Sequence, residues 1–176
     1  MKAIYTLLLI GFAMFSISAI QNNKPGGEPE KIKWYTWDEA VALQAKKPKK
    51  VFVDVYTDWC GWCKRMDANT FTNAELAAYM NKNFYPVKFN AEQREMIEFK
   101  GTKFEFKAQG NKGVHELASE LLNGKLGYPS FVMLDEKFSR IAISPGYKEA
   151  PQMLKELKFA GENIYKNTDW ATYSTM

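Results

Sequence analysis

Two cysteines are the residues whose type and spacing could do chemistry in this chain. Cys60 and Cys63 are its only cysteines, and a pair with this spacing can form a structural disulfide, part of a zinc site or a redox-active dithiol. A disulfide across two residues closes so short a loop that it restrains the unfolded chain very little. Structural zinc needs four nitrogen or sulfur ligands, and His115 is the only histidine that could add one. The redox pair is therefore the favoured interpretation.

The sequence around the pair indicates how the two thiols would divide the work. Residues 51–55 have the character of a short buried strand, and a helix is predicted from Cys60 to about Ala68. The N–H groups and dipole at a helix N-terminus lower the pKa of a thiol placed there. We therefore expect Cys60, with an exposed sulfur, to attack a substrate disulfide. Cys63, one turn further along and shielded, would then resolve the mixed disulfide.

The remaining pattern predicts an α/β domain with a central mixed sheet and helices on both faces. Capping-box spacing predicts helix starts at Thr36 and at Thr72. His115 is expected on the polar face of a helix. Further strands are predicted over 85–89, 103–107, 130–134 and 140–143, and further helices over 94–99, 114–122 and from Pro151 onward.

Composition and the N-terminus indicate where the domain would work. Hydrophobic residues make up 46% of the 176 residues, which is enough for a core, and the net charge of +4 is scattered without a basic block. We therefore expect no nucleic-acid partner. Residues 1–19 have one lysine, a long apolar run and a small-residue end, as in a secretory signal peptide, with an uncleaved membrane anchor as the alternative. The predicted division is signal peptide 1–19, flexible linker 20–34, domain 35–165 and C-terminal tail 166–176.

The segment from Val53 to Lys64 resembles the active-site region of thioredoxins, and the resemblance extends over roughly residues 37–164. It implies the thioredoxin fold, with Asp54 as a buried carboxylate that accepts or relays the proton of Cys63. Lys88 matches the lysine that supports this carboxylate. Tyr128-Pro129 matches the cis-proline loop that faces the disulfide and pairs with bound peptide. Gly146 matches a glycine that follows the last strand.

Two features depart from plain thioredoxins. Trp62 replaces the usual proline between the cysteines, and this Cys-Gly-Trp-Cys motif is closer to exported thioredoxin-like proteins, including reductase domains of thiol-relay pathways. An insert at about residues 91–113 precedes the cis-proline loop and could shape the substrate groove. Trp59 is expected to pack against the active-site loop and Trp62 to be exposed. We expect substrate contacts from Trp59, Gly61, Trp62, Tyr128 and Pro129.

These features predict an exported, periplasmic or secreted thiol–disulfide oxidoreductase, acting as a reductase rather than an oxidase. Its partners would be protein thiols and disulfides, with a membrane thiol relay as a possible electron donor. It would need no metal and no cofactor, because the Cys60–Cys63 dithiol carries the electrons. The alternative is a non-catalytic binding module of the same fold, in which Cys60 and Cys63 form a static disulfide.

Overall fold

The structure is a computed structural model that describes residues 30–176. The predicted signal peptide and most of the predicted linker therefore lie outside the described residues. Residues 30–34 contact the domain: the Trp34 ring packs edge-on against Phe71 at 5.1 Å, and the Lys33 amide donates to the Asn81 side chain at 2.9 Å. The proposed division of the chain stays a prediction.

A four-stranded mixed sheet forms the centre of the molecule. Its strands lie in the order β2 (Phe84–Asn90), β1 (Lys50–Tyr56), β7 (Ser130–Leu134) and β8 (Arg140–Pro145). β1 runs parallel to β2 and antiparallel to β7, and β7 runs antiparallel to β8. These pairings confirm the predicted mixed sheet. The parallel pair β1 and β2 is joined by a helical crossover, whereas a tight turn joins the antiparallel pair β7 and β8.

Helices cover both faces of the sheet, as predicted. On one face, α1 (Trp37–Lys46) and α4 (Glu116–Leu121) pack on alternate residues of β1 such as Val53. On the other face, α3 (Ala74–Asn83) and α5 (Ala150–Gly161) pack around Phe52. This alternation follows from the period of two along a strand, which sends successive side chains to opposite faces.

The predicted capping residue is confirmed for α1 and is wrong for α3. Thr36 and Glu39 form the predicted capping box of α1. α3 is capped instead by Asn73, whose side chain accepts from the Leu76 amide at 3.0 Å. The Thr72 hydroxyl instead donates to the Asn69 carbonyl at 2.7 Å.

The insert forms two β-hairpins, and here the sequence-based secondary structure was wrong in part. β3 (Ile97–Phe99) pairs with β4 (Thr102–Phe104), and β5 (Phe106–Gln109) pairs with β6 (Lys112–His115). Residues 94–99 are therefore not helical: Ile97 and Phe99 both pack on the core with a spacing of two, which is the strand period. The alternating run 103–107 divides between β4 and β5.

The C-terminal residues fold back onto the domain. A short 3₁₀-helix (Ile164–Lys166) leads to α6 (Trp170–Thr175). The rings of Trp170 and Tyr173 pack on Phe159 of α5 at 5.3 and 5.4 Å. Within residues 30–176, none of the helices combines the length and the apolar character that crossing a membrane requires.

Candidate active site

The Cys60–Cys63 pair lies where β1 turns into the helix α2 (Gly61–Arg65) and is joined by a disulfide. A backbone hydrogen bond of 3.1 Å from Cys60 to the Thr57 carbonyl closes the turn. Cys60 is the N-cap residue, and its sulfur accepts the Cys63 amide at 3.1 Å. In the reduced protein this N–H is placed to stabilise a Cys60 thiolate, which is the charged form that attacks disulfides.

The expectation of an exposed Cys60 sulfur is wrong for this oxidised state. Cys60 is 4% exposed and Cys63 is 2% exposed, so exposure hardly distinguishes them. The bond to Cys63 holds the Cys60 sulfur over the first turn of α2. The difference between the two residues is instead positional, because Cys60 is the cap and Cys63 lies inside the turn.

Asp54 and Lys88 form an ion pair between β2 and β1, the strand that leads into this junction. The two residues are register partners of β1 and β2, and Lys88 Nζ lies 2.7 Å from Asp54 Oδ2. Asp54 is 1% exposed, and its Oδ1 has no hydrogen-bond partner among the described residues. Burial raises the pKa of Asp54 from 3.8 to about 6, because desolvation outweighs the opposing effect of Lys88. This carboxyl can therefore take up and release a proton near neutral pH.

A third charged group, Asp67, joins this pair from the surface. The chain after α2 continues as a π-helical turn (Met66–Thr70), and Asp67 on this turn accepts a hydrogen bond from Lys88 Nζ. Burial disfavours the charged lysine, yet the carboxylates of Asp54 and Asp67 raise the pKa of Lys88. Lys88 therefore stays protonated between one buried and one exposed carboxylate. Sequence reasoning missed Asp67, because an α-helical count does not place a π-helical residue.

The Tyr128–Pro129 bond is cis and lies at the same end of the sheet as the disulfide. Ser130, the next residue, is the register partner of Val55 near the end of β1. The Pro129 carbonyl accepts the Gly146 amide at 2.8 Å, which ties this loop to the end of β8. Gly146 has φ +86, a conformation that favours glycine.

Two exposed tryptophans flank the disulfide. Trp62 is 56% exposed, as predicted, and lies 5.4 Å from the Tyr147 ring. Trp59 is 67% exposed, so its predicted packing against the active-site loop is limited to an edge contact with Tyr128 at 6.0 Å. Its indole N–H instead donates to the Glu92 carboxylate at 3.0 Å. A Cβ at Gly61 would meet nothing within 4 Å, so the surface between the cysteines is open.

His115 does not lie on a polar helix face. It is fully buried and caps α4, with Nδ1 accepting the Leu117 amide at 3.2 Å and Nε2 lying 2.9 Å from the Glu95 carbonyl. The histidine thus joins the insert to α4 rather than serving the cysteines. Within residues 30–176, no group of three or more histidine, cysteine or carboxylate side chains is placed to hold a metal ion.

Comparisons with known sequences identify relatives of this chain. The family model Thioredox_DsbH, described as protein of unknown function DUF255, matches residues 27–136. Spermatogenesis-associated protein 20 of Rattus norvegicus is 32% identical over 68 residues, which are 38% of this chain and 9% of that protein. The chain thus spans only a small part of this relative. An uncharacterized protein of Archaeoglobus fulgidus is 32% identical over 93 residues, covering 52% of this chain and 68% of that protein.

Solved structures share the fold at low sequence identity. A thioredoxin-fold protein from Helicobacter pylori superimposes with a TM-score of 0.56 at 21% identity, covering 73% of this chain and 78% of that one. A structure named DsbH oxidoreductase gives a TM-score of 0.54 at 16% identity, with coverages of 80% and 93%. The predicted thioredoxin fold is confirmed, and the chain belongs to the Thioredox_DsbH (DUF255) family.

Proposed function

We propose that this protein is a thiol–disulfide oxidoreductase that reduces disulfides of protein substrates through Cys60 and Cys63. The observation that carries the proposal is the joint occurrence of a disulfide at a helix N-terminus and a buried carboxyl–lysine pair on the strand that leads to it. A static disulfide needs no proton acceptor nearby, whereas a resolving thiol does. The cis-proline loop at the same end of the sheet gives an extended substrate a backbone to pair with.

The reaction begins from the reduced protein. The Cys60 thiolate attacks one sulfur of the substrate disulfide, a mixed disulfide forms, and the other substrate sulfur leaves as a thiolate. Cys63 then loses its proton towards Asp54 and attacks Cys60 Sγ. The Cys60–Cys63 disulfide forms, and the second substrate thiolate leaves. Two electrons pass to the substrate, and an external dithiol must return two electrons for the next cycle.

The direction of electron flow and the compartment are further parts of this proposal. The resemblance of Cys-Gly-Trp-Cys-Lys to exported reductase domains supports reduction, with a membrane thiol relay as the electron donor. The sequence of residues 1–19 supports export. Expression in a bacterial host followed by mass measurement of the periplasmic protein tests export. We expect a product that has lost about the first nineteen residues, and an intact cytosolic product would contradict export.

Reduction of insulin disulfides by dithiothreitol tests the activity. The protein should accelerate the reaction, and Cys60→Ser should abolish the acceleration because the attacking thiolate is lost. Lys64→Gln is the matched control, since it changes an exposed neighbour and leaves both sulfurs in place. Full activity of Cys60→Ser would contradict the proposal.

A further inference from the structure

A cleft of about 650 Å³ lies between the insert and the part of the active-site loop that precedes Cys60. Asp58 and Trp59 line it from the active-site side, and Glu92 lies at the start of the insert. Phe106 and Gly113 line it from the β5–β6 hairpin. Since Trp59 immediately precedes Cys60, a substrate segment that reaches the disulfide from this side must cross the cleft.

The hairpin wall of this cleft is built from interlocking residues. The Phe106 ring lies against the backbone of Gly113, where a Cβ would come within 2.2 Å of the ring. The Arg94 guanidinium lies over the Phe106 ring, 4.4 Å from its centre. The buried His115 anchors the end of the hairpin through its backbone amide, which donates to the Ala91 carbonyl at 2.7 Å. The wall is therefore a fixed surface and not a free loop tip.

The charges of the cleft are divided between its two sides. The carboxylates near the active-site loop already have partners: Glu92 accepts from the Trp59 indole at 3.0 Å, and Asp58 accepts from Asn90 at 3.1 Å. Arg94 and Lys112 are the cationic side chains of the cleft, and neither forms an ion pair within residues 30–176. Both carboxylates bond to neutral groups and keep their charge near the active-site loop, so the cationic donors of the cleft are those of Arg94 and Lys112 on the side of the insert.

We propose that this cleft binds an acidic segment of the substrate polypeptide beside the cysteine under attack. Arg94 and Lys112 would pair with carboxylates of the segment, and the exposed ring of Trp59 would contact its apolar parts. The guanidinium over the Phe106 ring suits this role, because its fork of donors can meet a carboxylate with two hydrogen bonds. The inference rests on the proposed function, since it names the substrate class for the same site.

The test uses the reduced protein and three synthetic peptides. Each peptide has one cysteine, blocked as a mixed disulfide with 2-mercaptoethanol and flanked on both sides by aspartate, asparagine or lysine. The fourth substrate is 2-hydroxyethyl disulfide, which is too small to fill the cleft. At low salt we expect the aspartate peptide to react about five times faster than the asparagine peptide, as two partly exposed ion pairs allow. We expect the lysine peptide to be the slowest.

Matched variants assign this preference to the cleft. Arg94→Gln combined with Lys112→Gln should reduce the preference for aspartate to less than twofold and leave the rate with 2-hydroxyethyl disulfide unchanged. Lys103→Gln combined with Lys137→Gln removes the same charge from residues that do not line the cleft, and should keep the preference. Added salt should weaken the preference of the wild type, because exposed charges are screened.

The outcomes separate the inference from the function on which it rests. The wild type could react with 2-hydroxyethyl disulfide and yet show no preference for the aspartate peptide. This result would overturn the proposal that the cleft binds an acidic segment and would leave the proposed function standing. An equal loss of preference in the Lys103/Lys137 variant would also overturn it, since overall charge would then explain the effect. Failure of the wild type to react with any disulfide would overturn both.

Discussion

The groups in the strands that lead to the disulfide and the groups beside it have opposite characters. In the strands, Asp54 is buried, pairs with Lys88 and leaves one carboxyl oxygen without a partner among the described residues. Beside it, Trp59 and Trp62 expose more than half of their surface. The charge of a buried carboxyl depends on its pKa and on the pH. The contacts of an exposed aromatic side chain depend instead on the shape and polarity of the molecule that binds.

This contrast divides the proposed reaction into two parts. In the proposal the interior groups act on protons of the cysteines, so their removal should affect every disulfide substrate alike. The surface groups contact only substrates that are large enough to reach them. Substitutions in the two regions should therefore differ in whether their effect depends on substrate size.

Cys63→Ser should give the largest effect in the interior. The variant can still attack through Cys60 but cannot resolve, so turnover should fall by at least about a thousandfold while mixed disulfides accumulate. Incubation with a protein disulfide followed by non-reducing electrophoresis and mass spectrometry measures the trapped product. Cys60→Ser serves as the matched control and should trap nothing. Trapping by Cys60→Ser instead would reverse the assigned roles.

Asp54→Asn should slow resolution and stabilise the fold. The pKa of Asp54 is raised in the folded protein, from 3.8 to about 6. The folded state therefore holds its proton more tightly than the unfolded chain does. The bound proton therefore adds to the free energy of unfolding. This contribution is complete below about pH 4 and is lost as the pH rises through about 6, and the loss is roughly 3 kcal/mol. The asparagine variant lacks this loss and should be more stable than the wild type at pH 7.

Urea unfolding of the oxidised proteins at pH 4 and pH 7 measures this difference. Asp58→Asn is the matched control, because Asp58 is exposed and Asn90 donates to it from the surface. It should keep the pH dependence of the wild type. In a turnover assay at pH 7, Asp54→Asn should reduce the rate about tenfold or more, for small and large disulfide substrates alike. An effect confined to protein substrates would break the proposed division.

Trp62→Ala should show the reverse pattern. Its indole is exposed beside the disulfide and contacts Tyr147 and Arg65. Loss of this surface should reduce kcat/KM for insulin about three- to tenfold, as expected for one aromatic contact, with no change for 2-hydroxyethyl disulfide. Trp170→Ala, at a partly exposed tryptophan of α6, should leave both rates unchanged. An equal loss with both substrates would place Trp62 with the interior groups.

Asp67→Asn should have the smallest effect. Its carboxylate is half exposed and adds only a minor upward contribution to the pKa of Asp54. The pH profile of the resolving step should therefore shift to lower pH by a fraction of a unit, since solvent screens the charge. Stopped-flow measurement across pH 5–8 detects this shift. An unchanged profile would show that the charge of Asp67 does not act on Asp54.

The residues placed by local rules were the ones that the sequence located well. Cys60 is a helix cap, Asp54 lies in a continuous apolar run, and Pro129 stands between a helix and a strand. The local setting of each follows from the residues immediately around it, whereas the active-site roles of Asp54 and Pro129 are what the resemblance to thioredoxins implies. The mixed sheet follows likewise from the strand runs and the short turn between β7 and β8, whereas the order of its strands came from the structure.

The residues placed by tertiary contacts were the ones that the sequence missed. Ile97 reads as part of a helix but is buried in a hairpin, and His115 reads as exposed but joins the insert to α4. Asp67 reaches Lys88 because the backbone adopts a π-helical turn. Periodicity carries no information about which distant segment a side chain meets, so these contacts needed coordinates.

The reduction potential of the Cys60–Cys63 pair tests the central claim most directly. Equilibration of the protein with glutathione and dithiothreitol buffers, acid quenching and alkylation of free thiols give the oxidised fraction by mass. A pair that exchanges with substrates should have a potential between about −120 and −270 mV. A pair that stays oxidised below about −300 mV would contradict the account and indicate a static disulfide in a binding module.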